Sequence, residues 1–160
     1  MKKYRLVLSI LLLFSITTGC SSAPSWLNET PPKDVLWGIG SARQFSDSMS
    51  MTIAETRARK SIARQLDAMV QAVFAEYGLA DTGTHIINMD ISGVRPIQRW
   101  KAKDGKWWCL AEMKKSDARD RIAAIFEDQE TASAGFNAQQ ALRMLDVLLA
   151  KNEKPLVVNR

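Results

Sequence analysis

A long stretch, 46–77, constrains the fold more than any other part of the chain, because one apolar stripe runs through all of it. Its apolar residues recur at spacings of three and four, which is typical of one helix face. They are Met51, Ala54, Ala58, Ile62, Leu66, Met69, Val70, Val73, Phe74 and Tyr77, with Arg57, Lys60, Arg64, Asp67 and Gln71 opposite. Ser46 or Asp47 can cap the start and Gly78 can end it. The sequence therefore predicts one long helix that buries its stripe against a second layer.

Strand-like segments precede and follow this helix. The run 34–42 is apolar and contains Gly38 and Gly40, which would let another backbone or helix approach closely. The third glycine of a GxGxxG motif would fall at Arg43, so we do not predict a nucleotide site. The segment 85–100 alternates apolar and polar residues, and Gly93 or Pro96 marks a bulge or an edge.

The pair Asp104-Gly105 predicts a hairpin with a two-residue turn and positive φ at both central positions. That turn would set the register. One side of the ribbon pairs Ala102 with Trp107, Trp100 with Cys109 and Gln98 with Ala111, while the other pairs Lys101 with Trp108 and Arg99 with Leu110. We expect the first side to cover the core, because the second carries more charge.

Two shorter helices follow the hairpin. Ser116 is expected to cap the first, 117–129, whose inner stripe is Ala118, Ile122, Ile125 and Phe126. The sequence 133–135 interrupts, and a second helix follows over 137–151. Its apolar positions include Leu142, Leu145 and Leu149, which can pack on this domain or form an oligomer contact with a neighbouring subunit. Pro155 ends the helix, and we expect 152–160 to be a flexible or strand-like tail.

The resulting order, β-α-β-β followed by two helices, predicts an α+β fold in which a small antiparallel sheet is packed by one long helix. The domain would span 34–151, preceded by a Ser- and Pro-rich tether over 20–33. Trp26 is unusual in a tether. It either docks onto the domain, which we favour, or lies at a membrane interface.

The N-terminal segment has the layout of an export signal: Lys2, Lys3 and Arg5, then an apolar core, then small residues up to Cys20. Ile16, Thr17, Thr18 and Gly19 before the cysteine resemble the bacterial lipobox. By that resemblance, 1–19 is removed and Cys20 is lipidated, so acyl chains attach the protein to a membrane. Ser21, where an inner-membrane retention signal would have aspartate, favours the outer membrane, with the domain facing the periplasm.

Charge and cysteine usage narrow the functional classes. The formal charge of +5 falls to +2 once the signal residues are removed, which does not favour a nucleic-acid partner. With Cys20 lipidated, Cys109 has no intramolecular partner, and its apolar surroundings predict burial.

We predict no catalytic, metal or cofactor site. His85 is the single histidine and lacks a nucleophile motif around it. One histidine and one free cysteine do not provide a zinc ligand set. Glu112 and Asp90 are strand carboxylates, and nothing sets the separation that glycoside hydrolysis would need.

The aromatic and basic hairpin is the candidate contact site for a ligand or partner. Its residues are Trp100, Trp107, Trp108, Arg99 and Lys101. Such a group could stack on a sugar, a base or a flavin. The alternative is that two of the three rings belong to the core and the basic residues keep the sheet edge soluble.

Three segments together resemble the LPP20 lipoprotein family: PSWLNETPPKDVLWGIGSAR, the helix AETRARKSIARQL, and the strand GKWWCLAEM. The resemblance covers about Pro24 to Met113. It implies a dodecin-like β-α-β-β domain and a non-enzymatic outer-membrane lipoprotein with a structural or assembly role in the cell envelope. Homo-oligomers or other envelope proteins would be its partners, and some relatives support the flagellum. The alternative function is a glycan- or small-ligand-binding module that uses the tryptophan hairpin.

Overall fold

The computed structural model describes residues 23–79, 93–151 and 157–158. After a 3-10 turn at Ser25–Leu27, its elements in chain order are β1 Val35–Ala42, α1 Asp47–Glu76, β2 Arg95–Lys101, β3 Trp107–Lys114, α2 Lys115–Ala132, α3 Ala138–Ala150 and β4 Val157–Val158. The predicted α+β class is confirmed. The predicted lipidation site Cys20, as well as His85 and Asp90, lies outside the described residues.

The long helix α1 has the predicted ends. Ser46 is the N-cap, and its hydroxyl accepts a hydrogen bond from the Met49 N–H. Gly78 has a φ of +70°, and the Leu79 N–H donates to the Phe74 carbonyl. This closing bond satisfies a carbonyl that the helix end would otherwise leave unpaired.

The sheet has the strand order β2-β3-β1-β4, with β1, β2 and β3 antiparallel and the two-residue β4 parallel to β1. The helix α1 lies directly on β1 at Gly38 and Gly40, the two glycines that were predicted to allow close approach. A Cβ added to Gly38 would lie 2.2 Å from the Ala58 carbonyl oxygen, and one added to Gly40 would lie 2.2 Å from that of Ala54. The helix α1 can therefore lie this close to β1 only because both positions are glycine, which has no Cβ.

The predicted hairpin register is wrong by one residue. Trp100 pairs with Trp108, Lys101 with Trp107 and Arg99 with Cys109. The Gly105 N–H donates to the Ala102 carbonyl and the Ala102 N–H donates to the Lys106 carbonyl, which encloses a three-residue loop with Gly105 at φ +82°. A three-residue loop with a left-handed glycine shifts the pairing relative to a two-residue turn, and a one-residue shift exchanges the faces of the side chains.

The sheet consequently has two different faces. The face against α1, called the inner face here, carries Trp107, Cys109, Ala111 and Met113 from β3 and Leu36 and Ala42 from β1. The opposite, outer face holds a second cluster of Trp26, Val35, Trp37, Ile39 and Leu110, against which Leu27, Trp100 and Trp108 pack. The favoured docking of Trp26 onto the domain is confirmed.

The second helix starts earlier than predicted and without the Ser116 cap. Strand β3 runs directly into α2, Lys114 is the N-cap position, and no side chain caps the helix. Instead, the Lys115 N–H donates to the Asp34 carbonyl at 2.9 Å. A backbone carbonyl just before β1 thus satisfies one of the N–H donors that the start of α2 leaves without a partner in the helix.

The C-terminal helices pack on their own domain. Asn137 caps α3 by accepting from the Gln140 N–H. Leu145 is 0% and Leu149 5% exposed, both inside the core cluster, and Leu142 is half-buried against it. These leucines therefore pack on their own domain, as the first alternative predicted, and the contact with a neighbouring subunit stays an untested prediction.

Candidate interaction surface on the hairpin

Trp100 and Trp108 form the exposed part of the outer face. They lie directly opposite each other across β2 and β3, and both rings are half-buried. The Lys106 ammonium lies 4.7 Å from the centroid of the Trp108 ring. Two neighbouring indoles with a cation over one of them can stack on a planar or sugar ligand.

Trp107, Arg99 and Lys101 have a different environment, on the α1 side. Lys101 Nζ donates to Asp47 at 2.6 Å, and the Trp107 indole N–H donates to the same carboxylate at 3.1 Å. Arg99 pairs with Glu55 at 2.5 Å. The hairpin is thereby fastened to α1 by two acidic residues of the helix.

The predicted contact site is thus not one surface. Its five residues divide between the faces: Trp100 and Trp108 lie outside, while Trp107, Arg99 and Lys101 are engaged by α1. The expectation that Trp107 and Cys109 face the core is confirmed, but Trp100, predicted on the same side, lies on the outer face. Because the register differs by one residue, Arg99 and Lys101 lie on the α1 side instead, where Asp47 and Glu55 neutralise their charge.

The pKa shifts agree with these contacts. Hydrogen bonds from Lys101 and Trp107 lower the pKa of Asp47 below its ordinary value. The bond to Glu55 raises the pKa of Arg99. Burial raises the pKa of the Cys109 thiol to about 11, so this cysteine stays protonated at neutral pH and is a poor nucleophile.

Two exposed apolar side chains near the hairpin were not singled out by sequence reasoning. Phe45 is 105% exposed and Met49 is 51% exposed, both at the start of α1. The sequence did contain a signal for this. Phe45 directly precedes the N-cap Ser46, and the fourth helical position, where a hydrophobic staple would have an apolar partner, is the polar Ser50.

Within the described part of the chain, no group of three or more His, Cys, Asp or Glu side chains could hold a metal ion. Among the same residues, no helix is long and apolar enough to cross a membrane.

Comparison with known proteins gives one distant structural likeness. No protein-family model matches the chain, and no curated protein matches it. A secreted Helicobacter pylori protein, HP1454, matches with 13% sequence identity and a TM-score of 0.35. The match covers 72% of this chain and 49% of that one, so the chain spans about half the length of this neighbour.

Proposed function

We propose that this protein is a bacterial outer-membrane lipoprotein with a binding or assembly role in the cell envelope and no catalytic one. The lipobox-like residues before Cys20 support the anchor. Burial keeps the Cys109 thiol protonated and inaccessible, which argues against this cysteine as a nucleophile.

The observation that carries the proposal is the position of Trp26. Its ring is 4% exposed and packs against Trp37, Ile39 and Leu110 on the outer face. Cys20 precedes Trp26 by six residues. Since an extended chain covers at most about 3.5 Å per residue, acyl chains on Cys20 hold the outer face within roughly 20 Å of the lipid. The domain would thus act close to the membrane rather than at the end of a long tether.

Substitutions at the lipobox test the anchor and its destination. Cys20→Ala should move the protein from the membrane fraction to the soluble fraction, because no thiol remains to be acylated. Ser21→Asp should retain it in the inner membrane, whereas the matched control Ser21→Ala should still reach the outer membrane. Membrane separation followed by immunoblotting measures all three. A Cys20→Ala protein that stays in the membrane fraction would contradict the proposal.

Self-association is the assembly role that we propose first. Because Leu145 and Leu149 are buried, the helix test belongs at Val147, which is 65% exposed. Light scattering of residues 21–160 over a range of concentrations should give a discrete oligomer, and Val147→Glu should lower the mass if α3 forms the contact. Gln139→Glu, exposed on the same helix, is the control. A monomer at every concentration would exclude self-association through the domain.

A ligand-binding role is the second candidate, and the Trp100–Trp108 pair favours it. The buried indole N–H of Trp37, in the same cluster, has no acceptor among the described residues and could serve a ligand oxygen. Trp108→Ala should abolish binding of an envelope glycan fragment, measured by titration calorimetry. Trp107→Ala, on the other face, should bind normally. Equal losses in both variants would point to a damaged fold rather than to a site.

A further inference from the structure

We propose that one end of the domain rests on a phospholipid surface, with Phe45 inserted at the boundary between headgroups and acyl chains. This membrane-facing end consists of the turn 43–46, the first turn of α1 and the β2–β3 loop 102–106. The inference rests on the proposed function, since the lipidated Cys20 is what brings the domain to a membrane. It adds a second, reversible contact made by the folded domain itself.

Phe45 is held outward by a hydrogen-bonded turn. The buried hydroxyl of Ser50 accepts from the Gln44 N–H at 2.9 Å and donates to the Ser46 carbonyl at 2.8 Å. The backbone on both sides of Phe45 is therefore hydrogen-bonded to α1, while the Phe45 ring does not pack against the core. Met49, one helical turn further on, is also exposed. Isolated exposed apolar residues are ordinary, but a fully exposed ring on a braced turn beside a second apolar side chain resembles a docking element.

The same end carries a small excess of positive charge, with Arg43, Lys103 and Lys106 against Asp47 and Asp104. Ala42, which leads into the turn, pairs with Trp107, and the β2–β3 loop precedes Trp107 directly. Arg43 and Lys103 are exposed, and Lys106 is half-buried. None of the three forms an ion pair within the described residues, whereas the nearby Lys101 is paired with Asp47. Cations at the same end of the domain as an exposed aromatic side chain complement a surface of anionic headgroups.

The anchor can reach the membrane while this end faces it. Trp26 and Trp108 belong to the same outer-face cluster, and Trp108 pairs with Ser41, next to the turn. From Ala23, where the described chain begins, Cys20 is three residues away, or at most about 11 Å. The tether thus starts on the outer face of the sheet whose strand β1 leads to Phe45, so a lipidated Cys20 would hold that face, and with it Phe45, near a lipid surface.

A fluorescent label at position 45 tests the contact. The acylated mature protein carrying Phe45→Cys is labelled with an NBD maleimide, because Cys109 is buried and the Cys20 sulfur would be blocked by lipid. The labelled protein is reconstituted into vesicles of phosphatidylethanolamine with a minor fraction of phosphatidylglycerol. Gln139→Cys, exposed on α3, gives the matched control.

We expect blue-shifted emission at position 45 and iodide quenching at least about threefold weaker than at position 139, because the headgroup boundary excludes the aqueous quencher. Adding Lys103→Glu and Lys106→Glu should restore quenching at position 45 while the protein still floats with the vesicles.

The possible failures are distinguishable. Equal iodide quenching at both positions in a protein that floats with vesicles would overturn the lipid contact and leave the anchor intact. A protein that does not float would overturn the proposed function itself. Shielding of position 45 in the unanchored Cys20→Ala variant, without vesicles, would overturn the lipid contact in favour of a protein partner.

Discussion

Gly40 is the residue at which one added carbon decides whether α1 can lie on the sheet. A Cβ there would be 2.2 Å from the Ala54 carbonyl oxygen and 2.3 Å from the Ala58 nitrogen. Both are backbone atoms of a helix, so neither can rotate away. We predict that Gly40→Ala lowers the free energy of unfolding by at least about 3 kcal/mol, the upper part of the range for overpacked cores, as measured by urea denaturation.

Gly78→Ala is the matched control, because it adds the same atom where nothing lies within 4 Å. Gly78 has a φ of +70°, so the cost there is the left-handed backbone alone, about 1 kcal/mol. Similar losses for the two variants would show that the helix can move away from Gly40, contrary to this prediction.

Ionisation of the Cys109 thiol should lower the free energy of unfolding at alkaline pH. Burial raises its pKa in the folded state to about 11 from an ordinary 9.0. A pKa raised by folding contributes stability that is fully present below the unfolded pKa, so the loss begins near pH 9 and continues to about pH 11. From pH 8 to pH 10.5 we expect a loss of about 2 kcal/mol attributable to this thiol.

The measurement is the difference in pH dependence between the wild-type protein and Cys109→Ala. Tyrosines and lysines titrate in both proteins, so their contribution cancels in the difference, as does the constant cost of the smaller side chain. Parallel stability curves between pH 8 and pH 10.5 would contradict the assigned role of Cys109.

At the scale of elements, the sequence predicted those whose signals are local and periodic. The stripe and the capping Ser46 of α1 gave its bounds closely, and the two glycines indicated the face of β1 that α1 covers. The hairpin register could not be obtained, because Asp104-Gly105 suits both a two-residue and a three-residue loop. The start of α2 could not be predicted either, because the Lys115 N–H bonds to the Asp34 carbonyl, which is distant in sequence.

The helix α3 shows why an amphipathic pattern does not reveal what its apolar face contacts. Phe74 of α1, Phe126 of α2 and Phe136 before α3 lie with ring centroids 5.6–5.7 Å apart, and α3 closes over this cluster. We predict that Leu145→Ala lowers the free energy of unfolding by about 2–4 kcal/mol. Val147→Ala, on the exposed side of α3, should change it by less than about 0.5 kcal/mol.

Urea denaturation of the two variants checks this prediction. A small effect at Leu145 would mean that α3 is only loosely attached, in which case its apolar face could still serve another subunit.

At the scale of the whole molecule, the folded unit begins before the first strand of the sheet. The sequence placed the domain boundary at residue 34, because prolines and serines dominate 20–33. In the structure, however, the turn Ser25–Leu27 covers the outer face, and Trp26 is as well buried as many residues of the main core. A segment that the sequence assigned to the tether thus covers the outer face of the sheet, as α1 covers the inner face.

Removing that cover should destabilise the domain and expose the outer face. We predict that Trp26→Ala lowers the free energy of unfolding by about 3 kcal/mol and that a chain beginning at residue 34 does so at least as strongly. Both should bind the dye ANS, because Trp37, Ile39 and Leu110 lose the ring that covers them. Glu29→Ala, exposed in the same segment, is the control and should match the wild-type protein. If the shortened chain is as stable as the full one, the 23–33 segment only rests on the sheet, and the anchor would not hold the domain close to the membrane.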